Sequence, residues 1–251
     1  MRATQRFAPI SLHDLVSDAG LMTRLDRKYL LPLDDVAPLL HQLNPATRVL
    51  QIDDERTFRY RSVYFDTPDL KSYHTAAQPR RRRFKVRTRS YVDTGGAFIE
   101  VKLRGPRGVT AKRRREIAQT ETDRLTDDVR AEVANLLESG AVDGAIAWEL
   151  QPTVASTYER TTLLAHEGYA RATIDTALAW DDHDGDRLRM ADMAIVETKS
   201  SAQPSEIDRR LWRMGYRPQS MSKYGTGMAA LRPHLPSNRW TRLVRGPFSG
   251  H

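Results

Sequence analysis

Two stretches of this chain alternate apolar and charged residues with a period of two. In Phe84-Lys85-Val86-Arg87-Thr88-Arg89 every second residue is cationic, and in Ile99-Glu100-Val101-Lys102-Leu103-Arg104 apolar residues alternate with charged ones. Successive side chains of a strand point to opposite faces, so both read as strands with one apolar and one charged face. The pattern predicts strands over about 82–91, 97–104 and 109–117, joined by a hairpin at Asp93-Thr94-Gly95-Gly96 and a turn at Gly105-Pro106-Arg107-Gly108. Earlier strands are expected at Arg24 to Leu31 and Arg59 to Asp66, the second stopped by Thr67-Pro68. Later ones are expected near 145–151, 154–164 and 169–179, with His166-Glu167-Gly168 as a tight connection, and at Leu188 to Lys199 after the acidic turn Asp181 to Asp186.

Helical periodicity is confined to short segments. Ser11 to Ala19 and Asp34 to Leu43 each open on a capping residue, with Pro38 early enough in the second to be tolerated. Leu125, Val129, Val133 and Leu137 recur every fourth residue behind Thr126, with Gly140 just past the end, which makes this the best amphipathic helix. Ser205 with Asp208 three residues on caps a further helix stopping at Gly215. Around eight antiparallel strands with helices at the crossings imply an α+β, mainly β chain that closes, or nearly closes, into a barrel. Residues 1–235 read as one domain, and 236–251, rich in Pro, Arg and Gly, as a basic flexible tail.

Charge sharpens this picture. Between Arg80 and Arg115 stand 14 Lys/Arg against only Asp93 and Glu100, a net +12 that exceeds the +8 of the whole 251-residue chain. If the strands close, Lys85, Arg87, Arg89, Lys102 and Arg104 face the lumen, where unpaired cations are costly and anions are required. Arginine forks suit phosphate oxygens. Asp26, Glu100 and Glu197 are the sparse carboxylates among these cations, placed to hold a divalent metal bridging phosphates. The absence of cysteine leaves only oxygen or histidine as metal ligands. Neither a signal peptide in Met1 to Leu15 nor an apolar run of about 18 residues is present, so the expectation is a soluble, cytoplasmic protein without a transmembrane segment.

Other features have plainer readings. The run Arg80 to Arg83 reads as a solvated loop or an entry patch. Asp181 to Asp186 lacks the closing Glu of a calcium loop and reads as a hairpin turn. Gly225-Thr226-Gly227 reads as the start of a terminal helix, and Trp148, Trp180 and Trp212 as packing residues. A nucleic-acid surface would interleave aromatics with its cations, and Lys85 to Arg89 contains none, so no nucleic acid is expected.

Eight ordered motifs then carry a resemblance: Arg24-Leu25-Asp26-Arg27-Lys28-Tyr29, Val63-Tyr64-Phe65-Asp66-Thr67-Pro68-Asp69, Lys85-Val86-Arg87-Thr88-Arg89, Ile99-Glu100-Val101-Lys102, Tyr158-Glu159-Arg160-Thr161, Arg171-Ala172-Thr173-Ile174-Asp175-Thr176, Val196-Glu197-Thr198-Lys199 and Ser222-Lys223-Tyr224. Together they resemble the VTC domain, a polyphosphate polymerase module within the triphosphate tunnel, or CYTH-like, metalloenzymes. The resemblance implies an eight-stranded antiparallel tunnel barrel with flanking helices, in which ATP meets a growing polyphosphate chain with Mn²⁺ or Mg²⁺.

By the same resemblance, Lys28, Arg87, Arg89, Lys102 and Lys223 are the catalytic cations. Arg160, Arg171, Tyr158, Ser222 and Lys199 contact the substrate, and Glu197 binds the metal, with Glu100 and Asp26 as further candidates. Hydrolytic relatives carry Glu-x-Glu-x-Lys on the first strand, where this chain has Arg24, Asp26 and Lys28. The missing leading carboxylate favours a polymerase over a metal-dependent triphosphatase. A non-catalytic polyphosphate- or nucleotide-binding module is the remaining alternative, and a membrane-protein partner stays open.

Overall fold

A computed structural model describes residues 2–17, 25–104, 110–167 and 170–249. The chain is α+β and mainly β, and it forms two compact units. One comprises Met1–Arg59, Tyr158–Leu178 and Met190–Ser220, the other Tyr60–Thr157, Ala179–Arg189 and Met221–His251.

In the first unit, β1 (Ala8–Ile10) and β3 (Arg48–Leu50) form a short parallel pair around α1 (Leu12–Ser17), β2 (Leu25–Pro32) and α2 (Val36–His41). The main ladder runs β2, β11 (Met193–Ser200), β9 (Arg171–Asp182) and β8 (Gln151–Leu164), antiparallel at β2–β11 and β11–β9. Tyr29 and Leu31 of β2, Ala172 and Ile174 of β9, and Ala194 and Val196 of β11 face one side. There they pack on Val36, Leu39 and Leu40 of α2 and on Ile207 and Leu211 of α6 (Glu206–Arg213). The capping box at the start of α6 forms: Asp208 N donates to Ser205 Oγ, and Ser205 N donates to Asp208 at 2.8 Å.

In the second unit, β4 (Phe58–Asp66), β5 (Arg83–Tyr91), β6 (Ala97–Arg104) and β7 (Thr110–Glu116) form an antiparallel meander. Gly95, at φ +80°, closes the expected hairpin, a conformation that costs a glycine little. The apolar face carries Val63, Phe65, Phe84, Val86, Ile99, Val101 and Leu103, covered by Leu125, Val129, Val133 and Leu137 of α4 (Asp127–Ser139). The unit also holds α3 (Lys71–Ala77), α5 (Ile146–Glu149), β10 (Arg187–Met190, paired with β9), α7 (Lys223–Leu231) and α8 (Thr241–Val244).

The four main strands of each ladder make up the eight expected. Several local expectations change. The strand at 145–151 is instead α5, followed by β8; the run Ala145-Ile146-Ala147-Trp148 is too short for its period to separate strand from helix. Leu188 to Lys199 is two strands, β10 and β11, broken where Leu33 N donates to the carbonyl of Asp192.

Trp148 is 55% exposed rather than packed, while Trp180 is buried. The segment read as a loose tail instead buries Trp240, Leu243 and Phe248, three apolar anchors spaced among polar residues. Asp181 to Asp186 is a hairpin turn in which Asp182 accepts from the amides of Asp184 and Asp186 and pairs with Arg232. Arg80 to Arg82 are exposed. The turn Gly105-Pro106-Arg107-Gly108 and Arg24 lie outside the described residues. Among the described residues no helix is long and apolar enough to cross a membrane.

Candidate functional site

The expected site residues fall into two groups, one in each unit. In the second unit, cross-strand register sorts the charged positions into rows. Lys85 lies opposite Lys102 and Lys102 opposite Lys112; Arg87 lies opposite Glu100 and Glu100 opposite Arg114; Arg83 lies opposite Arg104. Directly opposed residues share a face, so the rows form one cationic field on the side away from α4. Tyr64 and Ser62 of β4 join it opposite Arg87 and Arg89. Arg115, on the other face, reaches α4 and pairs with Asp128 and Glu132.

Like charges set opposite each other repel, and one buried carboxylate answers them. Glu100 is 3% exposed. Arg87 reaches its Oε2 through Nε at 2.7 Å and Nη2 at 2.6 Å, Lys112 Nζ reaches Oε1 at 2.8 Å, and Arg89 Nη2 lies 3.7 Å away. Burial opposes ionisation of Glu100, yet Arg87, Arg89 and Lys112 hold its carboxyl far below the usual carboxylate range. Glu100 thus fixes the direction of the Arg87 guanidinium. Arg89 Nε and its ladder neighbour Ser62 Oγ are buried without a hydrogen-bond partner. Buried polar atoms are nearly always satisfied, so this adjacent pair marks a place suited to a polar, oxygen-rich ligand.

Aromatics missing from the Lys85 to Arg89 stretch come from other elements. Lys85 Nζ sits 5.8 Å from the ring centres of both Tyr64 and Tyr224, and Arg114 lies 3.8 Å from that of Phe98. Tyr64 and Tyr224 are buried, so they support cations and offer no stacking platform for bases. Ser222 and Lys223 open α7. Ser222 Oγ caps that helix by accepting from Gly225 N at 3.0 Å, and the carbonyl of Lys223 accepts from Trp180 Nε1 at 2.8 Å.

Asp66, quoted within a motif but given no role by the sequence, proves to be a hub. Fully buried, it accepts from the amides of Thr67, Ser72 and Tyr73 and from the Tyr224 hydroxyl at 2.5 Å. Burial raises its carboxyl above the usual range despite these donors.

In the first unit, Glu197 of β11 lies opposite Lys28 of β2, and Lys199 opposite Asp26. Lys28 Nζ is 3.7 Å from Glu197, while Lys199 Nζ contacts Glu197 and stands 3.0 Å from Asp26. Burial disfavours a charged Glu197, but Lys28, Lys199 and Arg160 together keep it ionised well below the usual range. Arg160 of β8 makes a two-point contact with the fully buried Asp175, at 2.6 and 2.8 Å, and lies 5.1 Å from the Tyr158 ring centre. Arg171 and Thr173 of β9 lie opposite Lys199 and Glu197, and Thr173 Oγ1 is another buried atom without a hydrogen-bond partner. Asp208, a second hub, accepts from Tyr29, Thr198 and Ser205 beneath this ladder.

The structure therefore brings Lys28, Asp26, Glu197 and Lys199 together, and separately Arg87, Arg89, Glu100 and Lys112. Sequence reasoning missed the anchoring roles of Asp175 and Lys112. Period-two alternation along β7 puts Lys112 on the face shared with Arg114, but no local signal reveals its partner. Among the described residues no group of three or more His, Asp or Glu side chains is placed to hold a metal alone. Glu197 and Asp26, two carboxylates around one ammonium, still fit a hard divalent ion of the kind that takes one or two carboxylates and completes its shell with phosphate oxygens and water.

A model of the VTC domain matches residues 23–232. Among curated proteins none matches the chain in sequence. A solved structure from Hippeastrum, a provisionally named adenylyl cyclase described as revealing a dominant triphosphatase activity, is similar at 14% identity over 81% of this chain and 94% of that one, with TM-score 0.52. A provisionally named adenylate cyclase from Bacillus halodurans is 14% identical over 80% and 96%, with TM-score 0.49. The Hippeastrum likeness assigns this chain the same tunnel-type fold.

Proposed function

Because this chain belongs to the VTC domain family, we propose that it transfers the γ-phosphoryl group of ATP to the end of a polyphosphate chain. The observation that carries this reading is the cationic field of β5, β6 and β7, where rows of Lys and Arg face each other and one buried carboxylate, Glu100, pairs with Arg87 and Lys112. Such a field suits a flexible polyanion better than a single compact anion, because its charge is spread along the strands.

Arg87 and Arg89 grip phosphate oxygens, Arg87 with its fork aimed by Glu100, and Lys102 and Lys223 add point charges. Lys28, Arg160, Arg171 and Lys199 supply the cations of the first unit, Arg160 held in direction by Asp175 beside Tyr158. Ser222, engaged as a helix cap, can still donate its hydroxyl proton to a phosphate oxygen. Mn²⁺ or Mg²⁺, held by Glu197 with Asp26, would neutralise charge on the phosphate oxygens. The terminal oxygen of polyphosphate is already ionised, so attack on the γ-phosphorus needs no general base. Catalysis then consists of alignment and charge stabilisation, with ADP leaving opposite the nucleophile.

A second reading, a metal-dependent triphosphatase, is favoured by the activity described for the Hippeastrum neighbour. Against it, the described part of β2 offers only Asp26 as a carboxylate, which leaves few groups to orient an attacking water. The discriminating experiment incubates the purified protein with γ-labelled ATP and Mn²⁺, with and without a short polyphosphate primer, and resolves the products on a gel. A ladder of labelled, lengthening chains is expected. Free phosphate alone would transfer the protein to the hydrolases, and tight binding without product would make it a binding module.

A further inference from the structure

Gly225-Thr226-Gly227, which the proposed function leaves without a role, lies in the first half of α7. Glycine is a poor helix former, and two of them in a nine-residue helix leave its position dependent on packing. Two indoles supply that packing. A Cβ on Gly225 would overlap the Trp240 ring and one on Gly227 would overlap the Trp180 ring, so each glycine admits an indole directly against the helix backbone. Trp180 also holds the helix start, since its Nε1 donates to the carbonyl of Lys223 at 2.8 Å.

One of the two indoles comes from beyond the family region. The VTC match ends at residue 232, yet Trp240, Leu243 and Phe248 are buried within the second unit. The turn Asn238–Trp240 and α8 both pack on α7. The Trp240 ring centre lies 5.6 Å from that of Tyr73, whose hydroxyl donates to the Pro236 carbonyl at 3.1 Å. The Phe248 ring centre lies 5.7 Å from that of Trp180, so the same segment supplies one indole and backs the other. The start of α7 in turn meets the cationic field. Tyr224 stacks on Tyr64 with ring centres 5.2 Å apart, and Tyr64 lies opposite Arg87 in the ladder.

We propose that Trp240 and Phe248 are positioning residues: through Gly225 and Trp180 they hold the start of α7, and with it Ser222 and Lys223, in place beside the cationic field. The inference rests on the reading of Ser222 and Lys223 as phosphate-binding residues. It adds that the segment 236–248 acts on phosphate binding through α7, without touching the ligand.

The test measures tripolyphosphate affinity by calorimetry, at one salt concentration and well below the unfolding midpoint, in the wild type, Lys223→Gln, Trp240→Ala and the double variant. Lys223→Gln loses one charge-assisted contact and should bind about tenfold more weakly. Trp240→Ala should fall by a similar factor. The double variant should stay near tenfold rather than reach the product of about a hundredfold, because both changes remove the same contact. Trp240→Phe, which keeps a ring over Gly225, should recover most of the affinity. Leu137→Ala empties a core position in α4 and should bind as the wild type does, which separates positioning from stability alone. Phe248→Leu repeats the cycle with Lys223→Gln should Trp240→Ala fail to fold. Losses that multiply in the double variant, a Trp240→Ala that binds like the wild type, or an equal loss in Leu137→Ala would overturn the inference and leave the phosphate reading standing. Unchanged binding in Lys223→Gln would remove Lys223 from the site and the inference with it. A wild type that does not bind tripolyphosphate would remove the phosphate reading together with the inference.

Discussion

Glu100→Gln is the sharpest probe of how the cationic field is held together. The wild-type carboxylate lies at 2.6 Å from Arg87, 2.8 Å from Lys112 and 3.7 Å from Arg89. At an effective dielectric of about 20, a pair about 4 Å apart attracts by about 4 kcal/mol and closer pairs by more, before desolvation is counted. Removing one partner of a buried ion pair costs about 3–5 kcal/mol. Glutamine keeps the shape and an acceptor, and Lys112 can turn to water because half of its side chain is exposed. The low end, about 3 kcal/mol, is therefore expected. For a chain of this size that lowers the midpoint by about 6–12 °C.

The pH dependence follows from the sign of the shift. The Glu100 carboxyl is held below its unfolded value, so its contribution is full above about pH 4.3 and is lost as pH falls towards the folded value. Thermal unfolding at low salt, at pH 7 and in steps from pH 5 downwards, measures both. The gap between wild type and variant should narrow on acidification. Tripolyphosphate should raise the midpoint of the variant more than that of the wild type, because it answers cations that Glu100 no longer serves. Equal midpoints at pH 7, or a gap that widens in acid, would refute the assignment of Glu100 as the electrostatic anchor of the field.

Three further outcomes follow. Arg87→Ala should weaken tripolyphosphate binding by at least tenfold in calorimetry, the loss of a two-point charge-assisted contact, with salt flattening the difference. Glu197→Gln should spare tripolyphosphate binding and remove metal-dependent turnover; turnover at the wild-type rate would take Glu197 out of the metal role. Gly225→Ala should destabilise the protein by about 1–3 kcal/mol in denaturant titration, since its methyl meets the rigid Trp240 ring, and pairing it with Trp240→Ala should make the two effects less than additive.

How much was legible in the residues follows from the range of the forces involved. Alternation in Phe84 to Arg89 and Ile99 to Arg104 depends only on strand geometry, and the four-residue spacing of Leu125, Val129, Val133 and Leu137 only on helix geometry. Both were therefore readable, and with them the two-faced sheet, one side apolar under α4 and the other cationic. The cysteine-free composition alone restricted any metal to oxygen or histidine donors.

Pairing is a different matter. Whether Glu100 meets Arg87, Arg160 meets Asp175, or Glu197 meets Lys28 depends on cross-strand register, which the whole sheet sets at once. Asp208 was legible as a capping partner of Ser205 and Asp66 had no role, and only the tertiary structure brings the Tyr29 hydroxyl to the first and the Tyr224 hydroxyl to the second. The C-terminal segment looked loose because its composition is polar, and only the contact of Trp240 with Gly225 and Tyr73 decides that it docks. Local patterning determined what kinds of surface this protein makes. Tertiary structure decided which charges are anchored and which remain to meet a ligand, because an ion pair between residues far apart in sequence exists only after the chain has closed the distance.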